Sequence, residues 1–145
     1  MAIPTVVMDS LGQWVGNSKL NWRPEGEPIV EESNSTLEIS FDAHDAYATL
    51  RYSWEQDGKP QFGEMLICGP SVGWCDTWHQ SGSVMHLVGE GDGLRVLGSY
   101  SWEGSPPWGW RIEITNPVPD RLLLTMTNIC PDGEEEWAVR GEYSR

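Results

Sequence analysis

The sequence predicts an all-β fold, a single closed antiparallel barrel of about ten strands with at most one short helix. Two observations indicate this fold. Apolar and polar residues alternate from Trp14 almost to the end of the chain, and clusters of Gly, Pro, Asn and Asp interrupt the alternation about every 8 to 12 residues. The pattern contains no helices that could cover a sheet, so closure is the expected way to remove edge strands.

The predicted strands follow one another as hairpins. Gln56-Asp57-Gly58-Lys59 and Asp92-Gly93 predict tight turns, because Asp-Gly tolerates the positive φ of hairpin turns. Residues 23–32 contain two prolines and one glycine and are expected to follow the first strand as a break. A short helical turn is expected at residues 9–12. The predicted strands are residues 13–22, 36–41, 47–56, 61–68, 73–79, 84–89, 94–103, 108–115, 121–129 and 135–143.

The alternation assigns each strand an inner and an outer face. The last strand leaves two alternatives open, in which either Arg140 or Trp137 points inward. The charged residues predicted to face outward are Glu38, Arg51, Arg95, Arg111 and Glu113. The residues predicted to face inward are Trp14, Gly16, Ser18, Leu20, Trp22, Leu37, Ile39, Phe41, Leu50, Tyr52, Trp54, Leu94, Val96, Tyr100, Trp102, Trp110, Ile112 and Ile114.

Length and charge limit the classes of protein and partner. A chain of 145 residues fits one domain, residues 1–145. Its net charge of −13 repels phosphate backbones and anionic lipids, so neither nucleic acid nor a membrane is an expected partner. Residues 1–8 lack a basic segment followed by a long apolar run, which predicts a cytoplasmic protein. Three cysteines without metal-type spacing predict reduced thiols, and no metal or cofactor is predicted.

Nine tryptophans point to the function. An indole offers a large apolar surface and one N–H donor, so a barrel lined with indoles suits a planar or apolar small molecule. We therefore expect a binding protein that holds a small apolar or aromatic molecule in its interior, contacted by Trp54, Trp78, Tyr100 and Trp110. A barrel filled by its own side chains stays open as an alternative, as does a homodimer.

Asp76 and His79 are the polar residues best placed for chemistry, because they stand among Trp74 and Trp78. Strict alternation puts Asp76 and His79 on opposite faces, so a direct pair requires a bulge or a neighbouring strand, to which His86 could belong. The alternative function is a barrel-type cyclase or isomerase in which Asp76, His79 or His86 supplies acid or base catalysis. Whether the protein is an enzyme is left open.

Gly12-Gln13-Trp14 matches the Gly-x-Trp pattern that lipocalins and their calycin relatives carry at the first strand. Further motifs resemble the bacterial lipocalin-like family catalogued as domain of unknown function one-five-seven-nine: Trp74-Cys75-Asp76-Thr77-Trp78-His79, Val96-Leu97-Gly98-Ser99-Tyr100, Trp108-Gly109-Trp110-Arg111-Ile112 and Pro131-Asp132-Gly133-Glu134-Glu135. This resemblance implies a ten-stranded barrel, no settled activity and no catalytic residue. Calycins usually stack a last-strand Arg on the Gly-x-Trp tryptophan, which implies that Arg140 stacks on Trp14 to close the barrel base. Some related barrels ligate haem iron through a histidine, so His79 or His86 as a haem ligand is a minor alternative.

Overall fold

The computed structural model describes residues 3–42, 44, 46–89 and 93–145. Its elements are helix α1 (Thr5–Met8) and strands β1 (Gly12–Trp22), β2 (Ile29–Phe41), β3 (Ala48–Gln56), β4 (Lys59–Cys68), β5 (Ser71–Asp76), β6 (Met85–Gly89), β7 (Leu94–Tyr100), β8 (Trp108–Val118), β9 (Arg121–Ile129) and β10 (Glu135–Ser144). Each strand pairs antiparallel with the next, and β1 also pairs with β10, so the sheet closes. The prediction of a closed antiparallel barrel is confirmed.

The predicted faces agree with burial over most of the barrel. The side chains that point into the core include Leu20, Leu37, Ile39, Leu50, Trp54, Leu94, Val96, Trp110, Ile112 and Ile114. Arg51 and Arg95 are exposed on the outer face, whereas Glu38, Arg111 and Glu113 are half-buried there. The turn between β3 and β4 has positive φ at Asp57 (51°) and Gly58 (73°), as predicted for a tight hairpin. The Asp92-Gly93 turn cannot be compared, since Asp92 lies outside the described residues.

Several strand boundaries differ from the predictions, and three of these differences, in β7, β5 and β2, change the description of the barrel. β7 ends at Tyr100, so the predicted inward position of Trp102 is wrong: this side chain lies beyond the strand and is 53% exposed. β5 ends at Asp76 rather than at residue 79, because the Asp76 N–H bonds to the carbonyl of Gln80 and starts a turn. β2 begins at Ile29, opposite Trp22, so only a short connection separates it from β1.

Helix α1 closes one end of the barrel. It forms at Thr5–Met8 rather than at residues 9–12, with Asp9 following it as the C-cap. Pro4 precedes the first helical residue, a position where its missing N–H costs no helical hydrogen bond. Val7 is fully buried, so core packing stabilises this four-residue helix. Among the described residues, no helix is long and apolar enough to cross a bilayer.

The predicted stacking of Arg140 on Trp14 is wrong, because Arg145 takes that place. Its guanidinium lies 4.3 Å from the Trp14 ring centroid and donates a hydrogen bond to the carbonyl of Leu11. The register of β1 and β10 explains this, because Lys19 pairs with Arg140 and Val15 pairs with Ser144. Only the residue that follows β10 therefore reaches Trp14.

A β-bulge in β10 answers the question left open for the last strand. Trp137 faces Thr127 and Val139 faces Met126, so the extra residue shifts the alternation by one position. Trp137 and Arg140 both lie on the outer face, where the Arg140 guanidinium sits 4.2 Å above the Trp137 ring. Ala138 and Val139, at the bulge, are both buried. Neither of the two predicted alternatives for β10 is therefore correct.

The contact between Arg145 and Trp14 should contribute to stability. We expect a double-mutant cycle with Trp14→Leu and Arg145→Ala, measured by chemical denaturation, to show a coupling of about 0.5–1 kcal/mol, the range for cation–π pairs near the surface. The matched cycle with Trp14→Leu and Arg140→Ala should be additive. Coupling to Arg140 instead would contradict the assignment.

Candidate site at the aromatic end

Aromatic side chains gather at the barrel end opposite α1. β1 finishes there at Trp22 and β7 at Tyr100, whereas Trp14 lies at the α1 end. We call this region the aromatic end and define it by five rings that are partly buried or exposed: Trp22, Trp78, Tyr100, Trp102 and Trp108. Most of the residues with predicted functions are found here.

Asp76, the last residue of β5, has a fully buried side chain that organises this end. Its Oδ1 accepts hydrogen bonds from the backbone N–H groups of Trp78 (2.9 Å) and Gln80 (2.8 Å). Its Oδ2 accepts one from the Tyr52 hydroxyl at 3.1 Å and lies 3.2 Å from Nδ1 of His79. The turn held by Oδ1 brings His79 back to Asp76, and this supplies the direct pair that strict alternation excluded.

Tyr52 joins Asp76 to the barrel core. Its hydroxyl accepts a hydrogen bond from Nε1 of Trp74 at 2.9 Å and donates to Asp76. Burial first, and then the negative charge of Asp76, raise the pKa of Tyr52 well above its ordinary value, so the phenol stays protonated as a donor. The ring passes directly over Gly63 on the neighbouring strand, where a Cβ atom would overlap it. Gly63 thus makes room for the Trp74–Tyr52–Asp76 chain.

The imidazole of His79 is surrounded by four indoles, which we call the indole box: Trp54, Trp74, Trp78 and Trp110. Ring centroids of His79 and Trp78 are 4.7 Å apart, and those of His79 and Trp110 are 5.3 Å apart. Trp74 and Trp110 stack on one another at 5.3 Å with an interplanar angle of 6°. The His79 side chain is only 11% exposed and fills the centre of the box.

Opposing effects set the charge of Asp76. Burial alone would raise the pKa of its carboxyl, but the hydrogen bond and charge of His79, with the N–H groups of Gln80 and Trp78, outweigh burial and lower the pKa. An ionised carboxylate only accepts hydrogen bonds, so Nδ1 of His79 must carry the proton between them. In neutral His79 the other ring nitrogen, Nε2, is then an acceptor.

The rings of the aromatic end form two groups. Trp78 packs edge-to-face on Trp22, with the ring centroids 5.4 Å apart, and on Trp54, with the centroids 5.8 Å apart. Trp78 is therefore the member of the indole box that lies at the rim. In the other group, Trp102 lies 6.0 Å from Tyr100 and 5.7 Å from Trp108. The Tyr100 hydroxyl donates to Oδ1 of Asn128 at 2.6 Å. The ring of Tyr100 meets that of Trp110 edge-on at 6.5 Å, so the second group touches the box as well.

Side chains fill the interior beneath the box. An enclosed cavity bounded by Tyr52, Trp54, Asp76, His79 and Tyr143 has a volume of about 10 Å³. That space suits a single water molecule, whereas a drug-sized ligand needs several hundred Å³. The packing therefore leaves no room for a drug-sized ligand in this part of the interior, where one was expected.

The structure unites some of the predicted site residues and separates others. Trp54, Trp78 and Trp110 meet around the Asp76–His79 pair, and Tyr100 contacts Trp110. His86 is exposed on the outer face of β6, opposite Gly73, and does not belong to the cluster. Arg140, predicted for barrel closure, is likewise outside.

Tyr52 and Gly63 were not predicted to belong to the site. Tyr52 was expected only to face inward, although it anchors the carboxylate. The signal for it was Gly63, because a glycine inside a strand often marks a close approach of another group. The run from Trp74 to His79 did identify the correct segment.

The packing around the histidines does not fit a haem. His79 is enclosed by indoles with a cavity of about 10 Å³ beside it, and His86 stands exposed on the sheet surface. Within residues 3–42, 44, 46–89 and 93–145, no three His, Cys, Asp or Glu side chains converge as metal ligands. Cys68, Cys75 and Cys130 are free thiols.

Fold and site together define a closed ten-stranded antiparallel β-barrel with a cluster of aromatic residues at one end. The chain is similar to the S-type phycobiliprotein lyase CPES from Guillardia theta, with a TM-score of 0.53 and 15% identity over 97% of this chain and 90% of that chain. It is also similar to a redesigned beta barrel, with a TM-score of 0.47 and 11% identity over 100% of this chain and 98% of the other.

At these identities the likeness to the lyase describes the fold alone. No protein-family model matches the chain, and no curated protein matches it in sequence. The residues of the aromatic end are therefore the basis for any functional proposal.

A methyl group at Gly63 should disturb the site through Tyr52. We expect Gly63→Ala to lower the free energy of unfolding by about 1–3 kcal/mol, the cost of overpacking, and to alter the near-ultraviolet circular dichroism of the indole box. Gly73→Ala on β5 is the matched control, because its Cβ would meet only a Val84 methyl at 3.4 Å. Equal effects of the two substitutions would refute the role given to Gly63.

Because the pKa of Asp76 is lowered, its contribution to the free energy of unfolding should depend on pH. Its folded pKa lies below the ordinary value of 3.8, so its stabilisation is present above that value and is lost as the pH falls through the folded pKa. We expect Asp76→Asn to cost about 1–3 kcal/mol at pH 7 and progressively less below about pH 4. Urea unfolding at a series of pH values measures this, with the exposed Glu55→Gln as control. A cost independent of pH would rule out the buried carboxylate.

Proposed function

We propose that this barrel binds a small, planar apolar or aromatic molecule at its aromatic end. The observation that supports this proposal most directly is the group of partly exposed rings there, in which Trp102 is 53% exposed beside Tyr100 and Trp108. An exposed cluster of large aromatic side chains is costly in water and is typical of binding surfaces. A planar ligand that stacks on these rings would remove that apolar surface from water.

The ligand would lie at the rim and not deep in the barrel. The cavity beside His79 holds about 10 Å³, so the indole box must either stay closed beneath the ligand or open by movement of Trp78. Trp78 lies outside the strands and is held by a backbone hydrogen bond to Asp76 and by contacts with Trp22 and Trp54. In this proposal Trp78 and Tyr100 contact the ligand first, and Trp54 and Trp110 form the floor.

The charge of the chain favours an uncharged ligand. The net charge is −13, and the buried Asp76 carboxylate lies directly below the rim. Both would repel an anion. The resemblance to the lipocalin-like family of unknown function stays a prediction, and it adds no ligand to this argument.

A second candidate function is acid–base catalysis of an isomerase or cyclase kind. The specific observation in its favour is the buried Asp76–His79 pair at 3.2 Å, in which the carboxylate fixes the imidazole tautomer. The four hydrogen bonds to Asp76 also serve the turn, and a structural role accounts for them equally. Chemical change of a bound compound, found in the parent protein and lost in His79→Ala, would favour catalysis.

Binding can be tested with 1-aminoanthracene, an uncharged planar fluorophore. We expect a saturable increase in its emission at one site per chain. Trp102→Ala and Trp108→Ala should each weaken binding about two- to tenfold, as expected for loss of one stacked ring. Trp137→Ala is the matched control, because this indole lies on the outer face beneath Arg140. Absence of saturation, or an equal loss in the control, would refute binding at the aromatic end.

A further inference from the structure

Two indole N–H groups in the box lack hydrogen-bond partners. Trp54 and Trp110 are each only 4% exposed, and Nε1 of neither one has a partner among the described residues. Other inward indoles are satisfied: Trp14 donates to the carbonyl of Ser10, and Trp74 donates to Tyr52. A buried donor without an acceptor is costly, so this pair of donors requires an explanation.

Both donors lie where the proposed ligand would be bound. The rings of Trp54 and Trp110 flank His79, at 5.7 Å and 5.3 Å between centroids. Trp54 touches Trp78, the ring that covers the box, and Trp110 touches Tyr100 at the rim. A molecule that enters past Trp78 would meet both indoles.

Among the described residues, no acceptor around the box bonds to Nε1 of Trp54 or Nε1 of Trp110. Both oxygens of Asp76 receive hydrogen bonds, and the Tyr52 hydroxyl receives one from Trp74. The Tyr143 hydroxyl donates to Ser35, whose own hydroxyl donates to the carbonyl of Ser53. The box therefore has two donors without a partner, and an acceptor on the ligand can satisfy both.

The acceptor should be uncharged. A carboxylate or sulfonate placed against Trp54 and Trp110 would lie close to the buried Asp76 carboxylate, in a protein of net charge −13. Two like charges at low dielectric repel one another strongly, and indole N–H groups do not neutralise either one. A carbonyl oxygen has two lone pairs and no net charge, and it can accept from both indoles.

We infer that the ligand of the aromatic end, which rests on the binding function proposed above, is a neutral aromatic ketone or lactam whose carbonyl oxygen accepts hydrogen bonds from Nε1 of Trp54 and Nε1 of Trp110. The aromatic part stacks at the rim and the carbonyl points toward the box. This assignment gives the two indoles a role in selecting the polar group of the ligand.

Three naphthalenes of nearly equal size separate the contributions of ring and polar group: 2-acetylnaphthalene, 2-ethylnaphthalene and 2-naphthoate. We expect equilibrium dialysis against the full-length protein to show that the ketone binds about tenfold tighter than the ethyl compound, as two modest hydrogen bonds would produce. The carboxylate should bind more weakly than the ketone.

The variants Trp54→Phe and Trp110→Phe keep an aromatic ring and remove the N–H. Each substitution should lower the ratio of the ketone's affinity to the ethyl compound's affinity about threefold. The ratio is used because a loss of packing weakens the binding of both probes equally and leaves their ratio unchanged. Trp137→Phe, on the outer face, is the control and should leave the ratio unchanged. Circular dichroism confirms that each variant is folded before the ratio is compared.

The outcomes distinguish this inference from the proposed function. If the ketone and ethyl probes bind with equal affinity, or the ratio survives both substitutions, the acceptor assignment is wrong and binding at the aromatic end stands. Tighter binding of 2-naphthoate would also overturn it. If none of the three probes binds saturably, both the inference and the proposed function fail.

Discussion

The hydrogen bonds to the buried Asp76 carboxylate hold the aromatic end together. A buried carboxylate is tolerated only when nearby donors replace its hydration, and here backbone N–H groups, Tyr52 and His79 provide them. The same bonds end β5, direct Trp78 over the box and bring His79 among the indoles. Loss of the carboxylate would therefore change both the turn and the aromatic packing, because the two share one set of contacts.

Aromatic side chains and glycines fit one another across the barrel. The Tyr52 ring occupies the space above Gly63 on the adjacent strand, and the Tyr143 ring does the same above Gly141 on its own strand. Each ring has this space because the glycine beneath it presents no Cβ atom. These side chains leave only a small cavity beside the Asp76–His79 pair, while the exposed Trp102 ring lies at the rim.

Alternation in the sequence was sufficient to predict the barrel and the inward positions of residues such as Leu50 and Ile112, because the pleat of a strand fixes side-chain direction. It failed where the backbone leaves that pattern. Trp102 follows the end of β7, the bulge at Ala138 turns Trp137 to the outer face, and the turn after Asp76 brings His79 inward. Such departures depend on tertiary hydrogen bonds and packing, which a local pattern does not contain. The segment of the site was thus predictable, but its pairings were not.

Closure of this barrel depends on a single ladder between distant parts of the chain. Every other pair of hydrogen-bonded strands is consecutive in sequence, whereas β1 meets β10, with contacts such as Leu20 opposite Val139. Hairpins form on local contacts, whereas this seam joins residues from the two ends of the chain and so carries the largest loop-closure entropy. Opening of the seam would expose Leu20 to water while the remaining hairpins persist.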